Sequence, residues 1–148
     1  MGIVLPNDLD IYFHMNNGRY LTLMDIGRLD LLMRCGLAKV CLKRGWNPMI
    51  AAVFIRFRKG LKPFQKYEIR TRVIGWDERF IYLEQKFMLK GNVIAAALLK
   101  GSFVHKKIPV PSDVVHKASG SKSAMPKLPD YVVQWQKTDQ LVKDSLFS

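Results

Sequence analysis

The sequence is short of acid. Twelve Asp and Glu residues face 24 Lys and Arg, for a net charge of +12 over 148 residues. A field of that sign suits nucleic acid, an anionic lipid surface, or a phosphorylated ligand such as a nucleotide or coenzyme A; it also serves solubility alone. Cysteine is scarce as well. Cys35 and Cys41 are the only two, which excludes a disulfide scaffold and fits a reduced compartment. Their spacing matches no zinc motif, and His105 and His116 lack metal-spaced partners, so neither metal nor cofactor is expected. No apolar run approaches the ~20 residues that cross a bilayer. The longest, Met49–Ile55 and Val93–Leu99, have strand length. There is no Gly-x-Ser-x-Gly elbow, no Walker loop and no dinucleotide glycine fingerprint. Phe54, Arg56, Phe57 and Arg58 interleave aromatic and basic residues, but no RNA-binding signature surrounds them, and nucleic acid is not an expected partner.

What is present suits one domain. Apolar residues make up 49% of the chain, enough to fill a core and too many for disorder. Residues 18–44 read as a long helix, broken near Gly36. Tyr20, Met24, Gly27, Leu31 and Cys35 recur at helical spacing, and Leu21, Leu29 and Leu32 widen that face. So apolar a helix is expected to be largely buried. Asn16 or Asn17 caps its start, and Asp30 with Arg34 forms an i,i+4 pair. The period then changes to two. Met49–Lys59, Lys66–Trp76, Arg79–Lys90 and Asn92–His105 read as long strands, parted by turns at Gly60–Pro63, Gly75–Glu78 and Lys90–Asn92. The helix and strands together predict an α+β fold, a curved antiparallel sheet wrapped around one long helix. Residues 106–129 are rich in Pro, Ser and Lys and read as a partly flexible surface connection, with a helical turn at Ser112–Lys117. Asp130 is expected to N-cap a final helix through Leu146, packed through Tyr131, Trp135, Leu141 and Val142.

One segment is more distinctive than the rest: Asp8-Leu-Asp10-Ile-Tyr-Phe-His14-Met-Asn16-Asn17-Gly-Arg-Tyr20. Its Asp-x-Asp, His-x-Asn-Asn and Tyr resemble the signature of the hotdog-fold acyl-CoA thioesterases, in the 4-hydroxybenzoyl-CoA thioesterase branch. The phrases Leu-Pro-x-Asp-Leu-Asp before His-Met-Asn-Asn, Arg34-Cys-Gly and Gly75-Trp-Asp-x-Arg-x-x-Tyr-Leu-Glu84 are similar to animal members of that superfamily. The resemblance covers roughly residues 3–108. It divides the chain into a hotdog domain at 1–108 and a C-terminal extension at 109–148, a linker with a terminal helix.

The resemblance implies hydrolysis of acyl-CoA thioesters to acid and CoA. It assigns the carboxylate, as general base or nucleophile, to Asp10. It assigns the oxyanion donors to backbone N–H groups at the helix start, from Asn17, Gly18 and Arg19. His14 is placed to orient the carboxylate or the carbonyl, and Asn17 belongs to the same group. Loop-bracing roles compete for each of these residues, and for Asp8 bracing is the expectation. Asp25 is expected to pair with Arg28 or Arg19, and Tyr20 to be core with a polar tip. The basic charge then has a use, because the phosphates of CoA lie on the surface of this fold. Arg56, Arg58, Lys59 and Lys62 form one candidate cluster, and Lys100, Lys106 and Lys107 another. Before His14, where many active relatives carry Gly, stands Phe13, after Ile11 and Tyr12. Bulk there narrows the pocket or redirects the backbone, or the three side chains line an acyl channel. A hotdog module that binds acyl-CoA or lipid without turnover is the alternative function. A homodimer or dimer of dimers is expected, since a lone sheet leaves an edge strand and half a site exposed. The chain as given reads as cytoplasmic. A longer, membrane-anchored form stays open, because the motif begins at residue 8 with almost no room for a strand before it.

Overall fold

A computed structural model describes all residues, 1–148. A two-residue strand, β1 (Gly2–Ile3), and a 3-10 turn at Pro6–Asp8 lead into helices α1 (Asn17–Arg34) and α2 (Leu37–Arg44). Four long strands follow: β2 (Asn47–Phe57), β3 (Lys66–Trp76), β4 (Ile81–Leu89) and β5 (Asn92–His105). Then come β6 (Ile108–Val110), α3 (Ser112–Ala118) and α4 (Asp130–Leu146). The predicted long helix therefore does break at Gly36, whose φ of +76° is left-handed and costs glycine little.

The sheet is antiparallel, in the order β1-β3-β4-β5-β2, with β6 beside the end of β5. Register shifts between Ile50 and Ala52 in β2 and between Val73 and Gly75 in β3 are bulges, which bend strands. Strand alternation sends Leu83, Gln85 and Phe87 of β4 inward and Glu84 and Lys86 outward. Tyr20 of α1 stands edge-on to Phe57 (5.1 Å) and Phe87 (4.8 Å). Tyr20 and Phe87 form the main core with Met24, Leu61 and Leu99, where a fully buried side chain of this size contributes ~1.5–3 kcal/mol. A smaller core of Leu37, Trp46, Phe103, Val110 and Val115 lies toward the other end of α1.

Three expectations need correction. Helix α1 is not largely buried: only Tyr20 and Met24 are, while Ile26, Leu29 and Met33 are exposed. Leu23, Leu31 and Leu32 pack partly against the two cores, while Leu21 and Leu29 face the cavity and Ile26 and Met33 face outward. Asp130 does not cap α4. Pro129 holds the cap position and Asp130 is the first helical residue, with no side-chain cap bond. The face on which α4 packs is also different. Val132 is its buried residue and Trp135 lies edge-on to Tyr82 at 6.4 Å, whereas Tyr131, Leu141 and Val142 are exposed. No helix is long and apolar enough to cross a membrane.

Candidate active site

The signature segment folds into a closed loop ahead of α1. Leu9 and Met15 form an isolated antiparallel bridge. The Asp10 N–H donates to the His14 carbonyl at 2.8 Å, and Phe13 N–H donates back to the Asp10 carbonyl at 3.1 Å. The carboxylate tightens this turn: Asp10 Oδ1 accepts from the N–H groups of Tyr12 (2.8 Å) and His14 (3.2 Å). Short polar side chains bond their own backbone in this way and specify turns. Oδ2 of the half-buried Asp10 has no donor within the chain. It is the backbone of His14 that holds the carboxylate. Its exposed ring lies instead over Gly60, where an added Cβ would meet it at 3.0 Å.

Asp8 braces the loop, as expected, though through partners that sequence did not name. Almost wholly buried, it accepts from Leu5 N–H at 2.8 Å and from the Arg19 guanidinium at 2.8 and 2.7 Å. Arg19 thus joins the first turn of α1 to the loop. Asn16 is the cap, its Oδ1 accepting from Gly18 N–H at 2.8 Å. Arg19 N–H donates to the Asn16 carbonyl at 2.9 Å. Of the three candidate oxyanion donors, Asn17 is the one whose N–H has no acceptor in the chain. It sits at the positive end of the helix dipole.

Phe13 has φ +56°, a left-handed conformation that Gly adopts freely and Phe rarely. Ile11, Tyr12 and Phe13 are 84%, 74% and 73% exposed, and none of them lines the apolar cavity along α1. The turn that draws the Asp10 carboxylate inward throws its own tip outward.

Beyond the first turn of α1 a cavity of about 980 Å³ opens between the helix and the concave sheet. Its wall runs along α1 from Leu21 through Thr22, Asp25 and Leu29 to Cys35, and is mostly apolar. Asp10 and His14 are not in that wall, which begins one turn past Asn17. A polar network crosses its side. Asp25 pairs with Arg28, as sequence allowed, and Arg28 donates to Gln85 Oε1 at 2.8 Å. Gln85 Nε2 donates to the Met24 carbonyl (2.9 Å) and Thr71 Oγ1 (2.8 Å). Burial lowers the pKa of Arg28. Sequence reading missed Gln85 and Thr71; the one available signal was a lone amide on the inward register of β4.

The basic cluster lies beside the loop. Arg58, Lys59 and Lys62 flank Gly60, on which His14 rests, and Leu61 carbonyl accepts from Met15 N–H at 2.8 Å. The tip of buried Tyr20 accepts from Leu61 N–H at 3.2 Å, and burial raises its pKa. Arg56 and Arg58 also border a shallower hollow of about 480 Å³ with Phe57 and Val93–Ala96. Lys106 and Lys107 are exposed. Lys100 is not available with them: it is buried, paired to Asp139 at 2.8 Å, and sits over the Phe80 ring at 4.2 Å.

A long helix in a curved antiparallel sheet, with the Asp10 loop at the helix start, defines a hotdog domain. The chain belongs to the thioesterase-like superfamily, whose profile matches residues 4–135. The Xenopus laevis protein THEM6 is 39% identical over 92% of this chain. A probable thioesterase of Saccharomyces cerevisiae is 37% identical over 68%. The chain spans 65% of the length of the first and 44% of the second. Among solved structures, the Escherichia coli probable thioesterase YbaW superposes with a TM-score of 0.74 at 20% identity, covering 80% of this chain and 92% of that one. The Staphylococcus aureus protein SAV2348, solved in complex with CoA, superposes with a TM-score of 0.71 at 10% identity, covering 88% of each. At these identities the structural neighbours show the fold.

Proposed function

We propose that the chain hydrolyses acyl-CoA thioesters, with Asp10 as the reacting carboxylate. The observation that carries this reading is the divided role of its two oxygens. Oδ1 is held by two backbone N–H groups, while Oδ2 has no donor within the chain. As general base, Oδ2 takes a proton from water, whose oxygen adds to the thioester carbonyl. The C–S bond then breaks, and the CoA thiolate leaves with the proton from Asp10. As nucleophile, the carboxylate displaces the thiolate to form an anhydride, which water opens. In either route the carbonyl oxygen gains negative charge, and the free Asn17 N–H at the helix start suits it. The apolar cavity along α1 would take the acyl chain. Arg56, Arg58, Lys59 and Lys62 would meet the CoA phosphates, as bidentate or point-charge partners. Family membership supports this chemistry, and a neighbour solved with CoA supports that ligand.

A two-fold dimer belongs to the same proposal. β2 lies at the sheet edge, and Met49, Val53 and Phe54 on it are exposed. An apolar edge of this length invites pairing with a second copy.

The test is hydrolysis of a panel of acyl-CoAs by the wild type and Asp10→Asn. The amide cannot take a proton or attack, so kcat should fall by about 10²–10⁴-fold. Equal rates in both proteins would remove Asp10 from the mechanism. A second reading, an acyl-CoA or lipid-binding module without turnover, is favoured by Phe13, where the resemblance places Gly in many active relatives. CoA-ester binding by a wild type that leaves every thioester intact would select it.

A further inference from the structure

The large cavity extends past what α1 and the four long strands supply. Along α1 its wall runs from Leu21 to Cys35, about 20 Å of helix axis at ~1.5 Å per residue. The end away from Asp10 is walled by the C-terminal extension: by α3, whose Val115 is buried, and by the 119–126 segment through Ala124 and Pro126. α3 is fixed to the sheet there. Its Ser112 N–H donates to the Glu78 carbonyl at 3.0 Å, and the His116 ring stacks on Trp76 at 4.5 Å and 26°. The Ser112 hydroxyl and His116 Nε2, which have no hydrogen-bond partner, are covered by protein and do not open on the cavity.

The extension then changes faces. α3 and the 119–126 segment share the inner side with Leu83. α4 lies on the outer side, because Tyr82 stands two residues before the outward Glu84 and opposite Lys100 in the β4–β5 register. Trp135 is edge-on to Tyr82 at 6.4 Å, Gln136 Nε2 donates to its hydroxyl at 2.8 Å, and Asp139 holds Lys100. The crossing is at Gly75, beside the bulge near the end of β3. A Cβ there would meet Leu128 Cδ2 at 2.7 Å and Pro126 Cγ at 3.3 Å, so only glycine lets the segment lie so close to the strand. Residues 119–129 thus form a strap over the sheet end, anchored from behind by α4.

The closed end suits an apolar tip. The single cation of the wall, Arg28, is held by Asp25 and Gln85. Ser119 Oγ donates to the His116 carbonyl, and Ser121 and Ser123 bond each other. A charged far end would find no free partner, and a methyl end needs none. C–C bonds of ~1.5 Å at the tetrahedral angle advance an extended chain by ~1.25 Å per carbon, so 20 Å takes about 16 carbons. A short acyl group or a single aromatic ring would leave most of that length empty.

We propose that the C-terminal extension sets the acyl length this chain accepts: α3 and the strap end a chamber for an unbranched, methyl-ended acyl chain of about 16 carbons. The inference rests on reading the cavity as the acyl chamber and names the substrate class for it. The experiment is isothermal titration of octanoic, lauric, palmitic and the longer erucic acid into the wild type, Leu29→Trp, Gly75→Val and Trp135→Ala. Free acids bind without turnover, so a protein that cleaves no CoA ester still answers the question. Affinity should rise from octanoic to palmitic acid, by up to about fourfold per added methylene. Erucic acid overruns the closed end and should bind at least about tenfold more weakly than palmitic. Leu29→Trp obstructs the wall about 12 Å from Leu21, so palmitic acid should lose at least about tenfold while octanoic binds as before. Gly75→Val wedges the strap off the strand, and Trp135→Ala frees α4 behind it without touching β3. Both should abolish the penalty on erucic acid, with far-UV circular dichroism equal to wild type showing the sheet intact. A wild type indifferent to chain length, one that takes erucic acid as well as palmitic, or a penalty that survives both strap variants would overturn the proposal. Failure to bind any acid would overturn it too, while the Asp10→Asn comparison on CoA esters is decided separately.

Discussion

Gln85 lies at the centre of the buried polar network, and its amide has every role filled. It accepts from Arg28 and donates to the Met24 carbonyl and to Thr71. Gln85→Leu should therefore destabilise the fold by about 2 kcal/mol, because Arg28 loses its acceptor in a half-buried place. Urea unfolding checks this; a midpoint equal to wild type would show that the network contributes nothing. Phe13 predicts the opposite sign. Its left-handed φ carries strain of about 1 kcal/mol, and its exposed ring buries little. Phe13→Gly should leave stability unchanged or raise it by up to ~1 kcal/mol, measured in the same unfolding series. A clear loss would mean that the ring packs against something in solution. Asp10 and the Asn16 cap were legible as a motif, since their bonds are local. Arg28–Gln85 joins residues 57 apart, and no local pattern encodes such a pair.

Helix α4 is docked by a small set of polar contacts. Asp77 Oδ2 accepts from Tyr82 O–H at 2.7 Å and from Gln136 Nε2 at 3.0 Å, while Asp139 pairs with Lys100. Burial works against the Asp77 carboxylate, but bonds from Phe80 N–H, Tyr82, Arg79 N–H and Gln136 outweigh it and hold its pKa below the ordinary value. A depressed folded-state pKa contributes stability that is present above the unfolded value, ~3.9, and lost as pH falls through the folded one. Amides of α4 should thus lose exchange protection below about pH 4, ahead of β4 and β5, and Asp77→Asn should flatten that dependence. Simultaneous loss in α4 and the sheet would refute a separate docking step. The element itself was readable from its periodicity and from Pro129. Its contact face was not, because Tyr131 and Val132 are equally apolar choices until a partner surface picks one.

At the scale of the whole molecule the unpaired element is the β2 edge. Residues Asn47–Phe57 pair with β5 on one side and with nothing on the other. The dimer proposal predicts two copies per particle at micromolar concentration in sedimentation analysis. Phe54→Lys, near the middle of that edge, should shift the population to monomer, since two-fold pairing brings like charges together. A wild type that sediments as a monomer at all concentrations would end the proposal.

The amino-acid sequence by itself determined the elements: a helix broken near Gly36, four long strands and an Asn cap at the helix start. These depend on period, on glycine and on side chains that bond within a few residues. Only the tertiary structure decided what surrounds them. It set Phe13 outward, buried Lys100 against Asp139, and brought α3 to the far end of the cavity with Ser112 and His116 unpaired. Those outcomes turn on which surfaces meet across the curved sheet. That is a matter of long-range packing, which a reading along the chain does not contain.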